Sequence, residues 1–302
     1  MWYKLTGIFV WSDKVRPPIP DVPYLCLTAN TAGSTVQLVK NWTPTDVTLE
    51  ISTNKRNRTT YTMGDTITLS SIWDSVYWRN TSETDTGFSW TGYSTAGTNY
   101  YNFVMTGSIA ASWDTNYLLN KNSTTTASWG FSRLFRGCTS LTSAPTLPST
   151  TLTDYCYAYM FSWCTGLTTP PALPATTLNS YCYVGMFYTC SWLTTVPELP
   201  ATTLASDCYE YMFYDCDALE ALPRLPATTI PWSAYARMFQ SSYKIKLSST
   251  KTWDYQTAYR IPTTWTWSTS SNALYYMFQG TGGTYTGTPS VNTTYYTSNT
   301  LV

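Results

Sequence analysis

The chain of 302 residues contains no histidine, and only 11% of its residues are charged. Histidine is the commonest general base and the usual partner of a nucleophilic serine or cysteine, so its absence excludes hydrolase triads and zinc sites with histidine ligands. The 17 basic and 17 acidic side chains cancel, and no basic stripe is present that could neutralise a row of phosphates. These absences predict a protein that is not an enzyme, needs no cofactor and does not bind nucleic acid.

Long apolar runs are missing as well. No stretch approaches the roughly 20 apolar residues that a membrane-spanning helix needs. The opening Met1–Trp11 has a short apolar run, without the longer apolar core and the small-residue cleavage site of a signal peptide. We therefore expect no membrane span and no export by the usual secretory route, which leaves incorporation into a virus particle as a way to the outside.

Aromatic and hydroxylated residues are abundant instead. Aromatic residues reach 17%, with 26 Tyr and 14 Trp among many Thr and Ser. Two interpretations fit this composition. Aromatic side chains offer large, rigid contact area to a binding partner, and Thr and Tyr are also favoured in β-strands.

The C-terminal half of the sequence repeats with a period of 26 residues. A phenylalanine preceded by leucine or methionine returns five times at this step, and leucine and tyrosine positions follow in the same register. The phenylalanines are Phe135, Phe161, Phe187, Phe213 and Phe239. A fixed period in this range is typical of a solenoid, in which each unit buries its apolar face only against its neighbours.

The sequence of each unit predicts two short elements of secondary structure. The apolar residues from Leu152 to Cys164 fall at helical spacing, which predicts a short helix. Leu167 then opens an extended segment that three prolines interrupt, so we expect a parallel strand of only about three or four residues. A degenerate sixth copy follows, because Met277 and Phe278 return 39 residues after Met238 and Phe239.

Before the repeats, apolar and polar residues alternate at 34–39, 47–51 and 65–69, which predicts half-buried strands. We expect a sandwich-like all-β domain of about six to eight strands, with a long polar loop at 80–99. The sequence is therefore divided into a leader or attachment segment at 1–21, an all-β domain at 22–125, a solenoid at 126–246, and a degenerate repeat with a C-terminal cap at 247–302.

One unit of the repeat resembles a known family. In LTTPPALPATTLNSYCYVGMFYTC and the residues that follow it, Leu178, Phe187, Cys190 and Leu193 match the pattern L-x8-F-x2-C-x2-L of BspA-type leucine-rich repeats from bacterial surface proteins. The resemblance covers about residues 127–246 and implies a right-handed leucine-rich-repeat solenoid. Residues 24–125 resemble the β-rich leader that precedes such repeats in gut bacteriophage and bacterial proteins, and IFVWSDKVRPP resembles a short leader of phage-borne proteins.

This resemblance implies a non-enzymatic recognition or adhesion protein outside the cell, on a phage virion as tail fibre or head decoration, or on a bacterial surface. Its expected partners are a protein or glycan of a host or neighbouring cell, together with other structural proteins at the N-terminal domain, and a homo-oligomer is possible. The alternative is a structural component that decorates or assembles a virion or an extracellular filament through that domain. An enzyme acting on glycans is a distant third.

The cysteines and the acidic residues of the repeats could bind metal ions, but each set also has a purely structural interpretation. Seven cysteines form two ladders of the repeat, which we interpret as buried free thiols, with disulfides and metal binding as alternatives. Acidic residues gather in the fourth unit, where they form either a solvated face or a weak Ca²⁺ site. The Ca²⁺ candidates are Asp207, Glu210, Asp215 and Asp217.

Positions where the units differ among themselves are free of packing constraint. Either the residues at these positions vary because they face solvent, or they form a contact surface whose anchors are aromatic side chains. The anchor candidates are Tyr159, Trp163, Tyr188, Trp192, Tyr211 and Tyr214.

Tryptophan also stands where turn chemistry favours glycine. Gly64-Asp65 separates two strand-like runs, and the comparable turns read Trp73-Asp74 and Trp113-Asp114, while Lys40-Asn41-Trp42 looks like another such turn. Because some genetic codes read UGA as glycine and others as tryptophan, we hypothesise that several of the 14 Trp are glycine in the natural protein. Trp163, which takes the position of Gly137, would then leave the set of anchors, and Trp192 would be suspect.

Overall fold

The computed structural model describes residues 2–5, 8–11, 25–41, 49–55, 57–80, 100–112, 125–126, 128–261, 272–299 and 301–302. These residues are β-rich and contain no helix. The strands are β1 (Trp2–Leu5), β2 (Ile8–Trp11), β3 (Leu25–Ala29), β4 (Ser34–Asn41), β5 (Leu49–Ser52), β6 (Thr59–Thr60), β7 (Thr66–Leu69), β8 (Ser75–Asn80), β9 (Tyr100–Thr106), β10 (Ile109–Ser112), β11 (Leu141–Ser143), β12 (Leu247–Ser248), β13 (Thr257–Arg260) and β14 (Thr294–Thr297).

The strands from β3 to β10 lie in two sheets. One has the strand order β11-β10-β3-β8-β5-β6, and the other has the order β7-β4-β9. They share a core, because Trp78 of β8 packs edge-on against Phe103 of β9 at 5.2 Å and against Tyr61 at 4.7 Å. Alternation along β4 places Val36 and Leu38 inside, as the sequence predicts. Strands β1 and β2 form a separate antiparallel hairpin.

Some of the expected features lie outside the described residues. These are the polar loop from residue 81 onward and the turns at Trp42 and Trp113-Asp114.

Consecutive turns occupy the segment of each unit where a helix was predicted. In the second unit, Met160 donates its N–H to Tyr157 O at 3.1 Å, whereas Phe161 donates its N–H to Met186 O of the next unit at 3.0 Å. This alternation continues along the segment and ties each unit to the one that follows. Tyr159 and every fourth residue around it have positive φ, which a right-handed helix does not permit. The helix prediction is therefore wrong.

A column of phenylalanine rings forms the centre of the repeats. Neighbouring rings stack at 5.6 to 5.7 Å from Phe135 to Phe278, so the degenerate sixth copy continues the column. The thiol of Cys190 donates to Phe161 O at 3.0 Å, and other cysteines repeat this contact. All eight cysteines are buried and free, as was predicted for the seven of the two ladders, and burial raises the pKa of Cys156 to about 12.

The column is continuous with the sheets that precede it. Phe103 stacks on Phe135 at 5.2 Å and donates its N–H to Leu134 O at 2.8 Å, just as Phe135 donates to the second unit. Strand β10 pairs in parallel with β11 of the first unit. Phe103 therefore occupies the position in the ring column that the phenylalanine of a preceding unit would occupy.

The predicted parallel strands are formed only in part. Strand β11 is three residues long, and between the second and third units the predicted segment is joined by a hydrogen bond from Thr194 N–H to Thr168 O at 3.1 Å. The prolines of each unit explain this result, since they supply no N–H to a ladder. At the far end, β14 pairs with β12 and β13, and Tyr259 packs edge-on against Phe278 at 6.1 Å.

Candidate binding surface

Each turn segment exposes few side chains, and most of these lie at positions with positive φ. In the second unit, Tyr155, Tyr159 and Trp163 reach solvent, while the residues between them are buried. Successive units therefore align their positive-φ positions in three columns, in which Gly185, Thr189, Asp207 and Ser233 are buried and the other residues reach solvent. The first column contains Trp129, Tyr155, Tyr181, Asp207 and Ser233; the second contains Arg133, Tyr159, Gly185, Tyr211 and Arg237; and the third contains Gly137, Trp163, Thr189, Asp215 and Ser241.

Five of the six predicted anchors lie together around Tyr188. Its ring stacks on Tyr214 at 4.6 Å with the two planes nearly parallel. The rings of Tyr159, Trp163 and Tyr211 surround it at 6.4, 6.1 and 6.1 Å. Trp192 is 66% exposed and makes none of the ring contacts found among the described residues.

Gly185 makes room for this cluster. A Cβ at position 185 would overlap the ring of Tyr159, which lies over the glycine. Gly185 also has φ +55, as Tyr159 and Tyr211 have at the equivalent positions. The missing side chain of the third unit is thus what allows the Tyr159 ring to reach across it.

A second row of rings was missed in the sequence. Trp129 stacks on Tyr155 at 3.9 Å, and Tyr155 stacks on Tyr181 at 4.4 Å, with all three planes nearly parallel. Their 26-residue spacing was a signal that could have revealed them. We call the surface formed by both groups the aromatic face; it consists of Trp129, Tyr155, Tyr159, Trp163, Tyr181, Tyr188, Tyr211 and Tyr214.

Arginines border the aromatic face on two sides. The Arg133 guanidinium lies 5.4 Å from the centre of the Tyr159 ring. Arg237 lies between the rings of Tyr211 and Tyr275, at 5.1 and 4.9 Å, and its Nη1 is 3.5 Å from Oε1 of Glu210. Cation–π contacts of this kind hold the ring orientations fixed.

Two carboxylates lie beneath the rings. Asp207 is buried and accepts hydrogen bonds from Tyr181 and Ser233, and burial still raises its pKa. Burial and the charge of Asp207 raise the pKa of Glu210 to about 7, although Arg237 opposes this shift. Burial and the charge of Glu210 in turn raise the pKa of Tyr159 to about 12.

The acidic residues of the fourth unit form no metal centre. Among the described residues, no three His, Cys, Asp or Glu side chains come together in a way that could hold a metal ion. Asp215 instead accepts a hydrogen bond from Thr189 at 3.3 Å. The Ca²⁺ candidates Asp207, Glu210, Asp215 and Asp217 are therefore spread over separate contacts.

No protein family, curated protein or solved structure matches this chain. Its function is therefore inferred from the aromatic face itself. In the described part of the chain, no helix is long and apolar enough to cross a bilayer.

Proposed function

We propose that this chain is a non-enzymatic recognition protein, built on a right-handed solenoid of BspA-type leucine-rich repeats and displayed on a virion or a cell surface. Its ligand is a protein or glycan of a host or neighbouring cell, bound at the aromatic face. The observation that carries the proposal is that two groups of mutually contacting tyrosine and tryptophan rings, a stacked row and a cluster around Tyr188, extend over four consecutive units.

The rings suit recognition because they are fixed before a ligand arrives. Tyr188 stacks on Tyr214, and Arg237 holds Tyr211, so few rotamers remain to be lost on binding. Preorganised aromatic side chains give large contact area at a small entropic cost. Their hydroxyl groups add hydrogen bonds at the rim of the contact.

The support beneath the rings favours the same proposal. Every unit contributes a buried phenylalanine and a backbone hydrogen bond to the next unit, so the outward positions keep a constant spacing. Repeat scaffolds of this kind present extended binding surfaces. The N-terminal sheets, which continue the column through Phe103, are the natural attachment to a larger assembly.

The proposal is tested by binding of the full chain to whole bacterial cells and to a glycan array. We expect the double variant Tyr188→Ala/Tyr214→Ala to lose at least about tenfold in affinity, as removal of central aromatic anchors usually does. Tyr243→Ala is the matched control, since Tyr243 is 61% exposed and lies outside the aromatic face. Equal binding by wild type and double variant would contradict the proposal. Ordered self-assembly of a chain that binds no surface would favour the structural alternative.

A further inference from the structure

The stacked row of rings on the aromatic face ends at the third unit. Trp129 stacks on Tyr155 and Tyr155 stacks on Tyr181, so each of the first three units contributes one ring. The fourth unit has Asp207 at this position instead. Within the described part of the chain, Tyr155 is the one ring that contacts Tyr181. The side of the Tyr181 ring that is turned toward the fourth unit therefore has no second ring stacked on it.

A buried carboxylate with neutral partners lies at this end of the row. Asp207 is 6% exposed and accepts hydrogen bonds from the hydroxyl groups of Tyr181 and Ser233. Among the described residues, Asp207 forms no ion pair. A buried carboxylate usually has a cation beside it, because hydroxyl donors alone do not offset the loss of hydration. Asp207 is an exception to that rule.

Glu210 brings a second negative charge to the same place. Its charge acts on the carboxylate of Asp207 and on the hydroxyl of Tyr181. Its cationic neighbour in the described chain is Arg237, whose Nη1 lies 3.5 Å from Oε1 of Glu210. Two carboxylates thus share one guanidinium, so one negative charge has no counterion among the described residues.

Arginines of the chain lie over the rings of the neighbouring column. Arg133 is 5.4 Å from the centre of the Tyr159 ring, and Arg237 is 5.1 Å from the centre of the Tyr211 ring. No lysine or arginine of the described chain lies over Tyr181 in this way. A ring face beside two carboxylates attracts a cation through both the ring quadrupole and the charges. A cation from a partner molecule therefore fits this place.

We infer that the end of the stacked row binds a lysine side chain of a partner protein, with the ammonium group between the Tyr181 ring and the carboxylates of Asp207 and Glu210. This inference rests on the proposed function and narrows its ligand from a protein or glycan to a protein. Lysine fits because Asp207 is buried, and a slim four-carbon stem carries a compact ammonium group past the rings. The amine of an amino sugar is attached directly to the sugar ring and cannot reach as deep.

The probe is the peptide acetyl-Gly-Lys-Gly-amide, titrated into the full chain and followed by nuclear magnetic resonance of the tyrosine rings. Burial and the charge of Asp207 raise the pKa of Glu210 to about 7, so the titration is run at pH 8, where Glu210 is ionised. We expect saturable binding that shifts the resonances of Tyr181. Acetylation of the lysine amine, or glucosamine in place of the peptide, should weaken binding at least about tenfold, since a charge-assisted hydrogen bond is worth about that factor. Glucosamine that binds as tightly as the peptide would overturn the assignment to lysine.

Asp207→Asn is the variant that tests the buried carboxylate. Asp207 has φ +58, a conformation that asparagine also tolerates, so the substitution removes the charge without straining the backbone. We expect it to weaken binding of the peptide at least about tenfold. Glu220→Gln is the matched control and should leave binding unchanged, because the Glu220 side chain is 59% exposed.

The outcomes separate this inference from the proposed function. Tyr188→Ala/Tyr214→Ala should bind the peptide as the wild type does, since neither of these rings contacts Tyr181. No binding of the peptide, or equal binding by the wild type and Asp207→Asn, would overturn the inference even where whole cells still bind. A chain that binds the peptide through Asp207 but binds no cells would support the lysine site and contradict the proposed function.

Discussion

Glu210 is an exception in its column. The equivalent positions of the other four units hold Ser132, Ala158, Val184 and Ala236, all of them buried. A carboxylate has thus replaced a small side chain, next to Asp207 and under the rings of the aromatic face. Arg237 compensates part of the desolvation cost without removing it, since the pKa of Glu210 stays above its usual range. Charged groups in such places are sites where ligand recognition and stability become dependent on pH.

The pKa of Glu210 predicts how stability changes with pH. Since its pKa rises to about 7 in the folded chain, the folded state binds more protons than the unfolded state between about pH 4.5 and 7. Stability from this group is fully present below that window and is lost as pH rises through it. Glu210→Gln should therefore match the wild type in the free energy of unfolding near pH 4 and exceed it at pH 8.

Urea denaturation at several pH values checks this prediction. The chain has no histidine to titrate in this window. Glu220→Gln serves as the control, because the Glu220 side chain is 59% exposed. Parallel pH profiles for wild type and Glu210→Gln would show that the carboxylate is not desolvated as described.

At the scale of elements, the period and the core could be predicted from the sequence, but the conformation within a unit could not. Apolar residues at every fourth position fit a helix of 3.6 residues per turn and a ribbon of four-residue turns equally well over three turns. Positive φ distinguishes the two conformations, and the residues that adopt it include Tyr155, Tyr211 and Arg237, which are not typical turn residues. The residues predicted as anchors reach solvent, and five of them lie together; the stacked row at Trp129 was passed over, because its column holds aromatic residues in only three of the five units.

The turn before β8 holds a bulky residue, Trp73, at positive φ, and replacing it measures the conformational free energy that this residue costs the fold. Trp73 has φ +72, is 75% exposed and donates its N–H to Ala29 O at 2.8 Å. Trp73→Gly keeps that bond and removes a strain of about 1–2 kcal/mol, set against about 0.5–1 kcal/mol for the added freedom of glycine in the unfolded chain. We expect a gain of up to about 1 kcal/mol in chemical denaturation.

Trp253→Gly is the matched control. Trp253 is 84% exposed and does not have positive φ, so its replacement should give no gain. Equal effects of the two variants would contradict the strain argument. The hypothesis that some tryptophans are natural glycines stays a separate prediction, because Tyr, Arg and Thr adopt the same conformation in the repeats. The mass of the protein from its natural source decides it.

Across the whole molecule, the ring column runs from Phe103 to Phe278, and backbone hydrogen bonds join consecutive units along it. The period predicted this arrangement for the middle of the chain. The ends could not be predicted, because Phe103 lies on a strand outside the 26-residue register and the edge at Leu222 is covered by residues distant in sequence. Stability in such a molecule is approximately a sum over units and their interfaces.

The central claim, that the 26-residue units are equivalent stacked layers, is tested most directly by excision of one of them. Deletion of Pro174–Leu199 joins Leu173 to Pro200 and restores the sequence Leu-Pro-Ala-Thr-Thr-Leu at the junction. Deletion of Pro174–Met186, half a unit, is the control that breaks the register. Thermal unfolding followed by near-ultraviolet circular dichroism should show a folded, cooperative chain for the first deletion and loss of the tertiary signal for the second. An unfolded product of the full-unit deletion, or equal behaviour of the two, would contradict the claim.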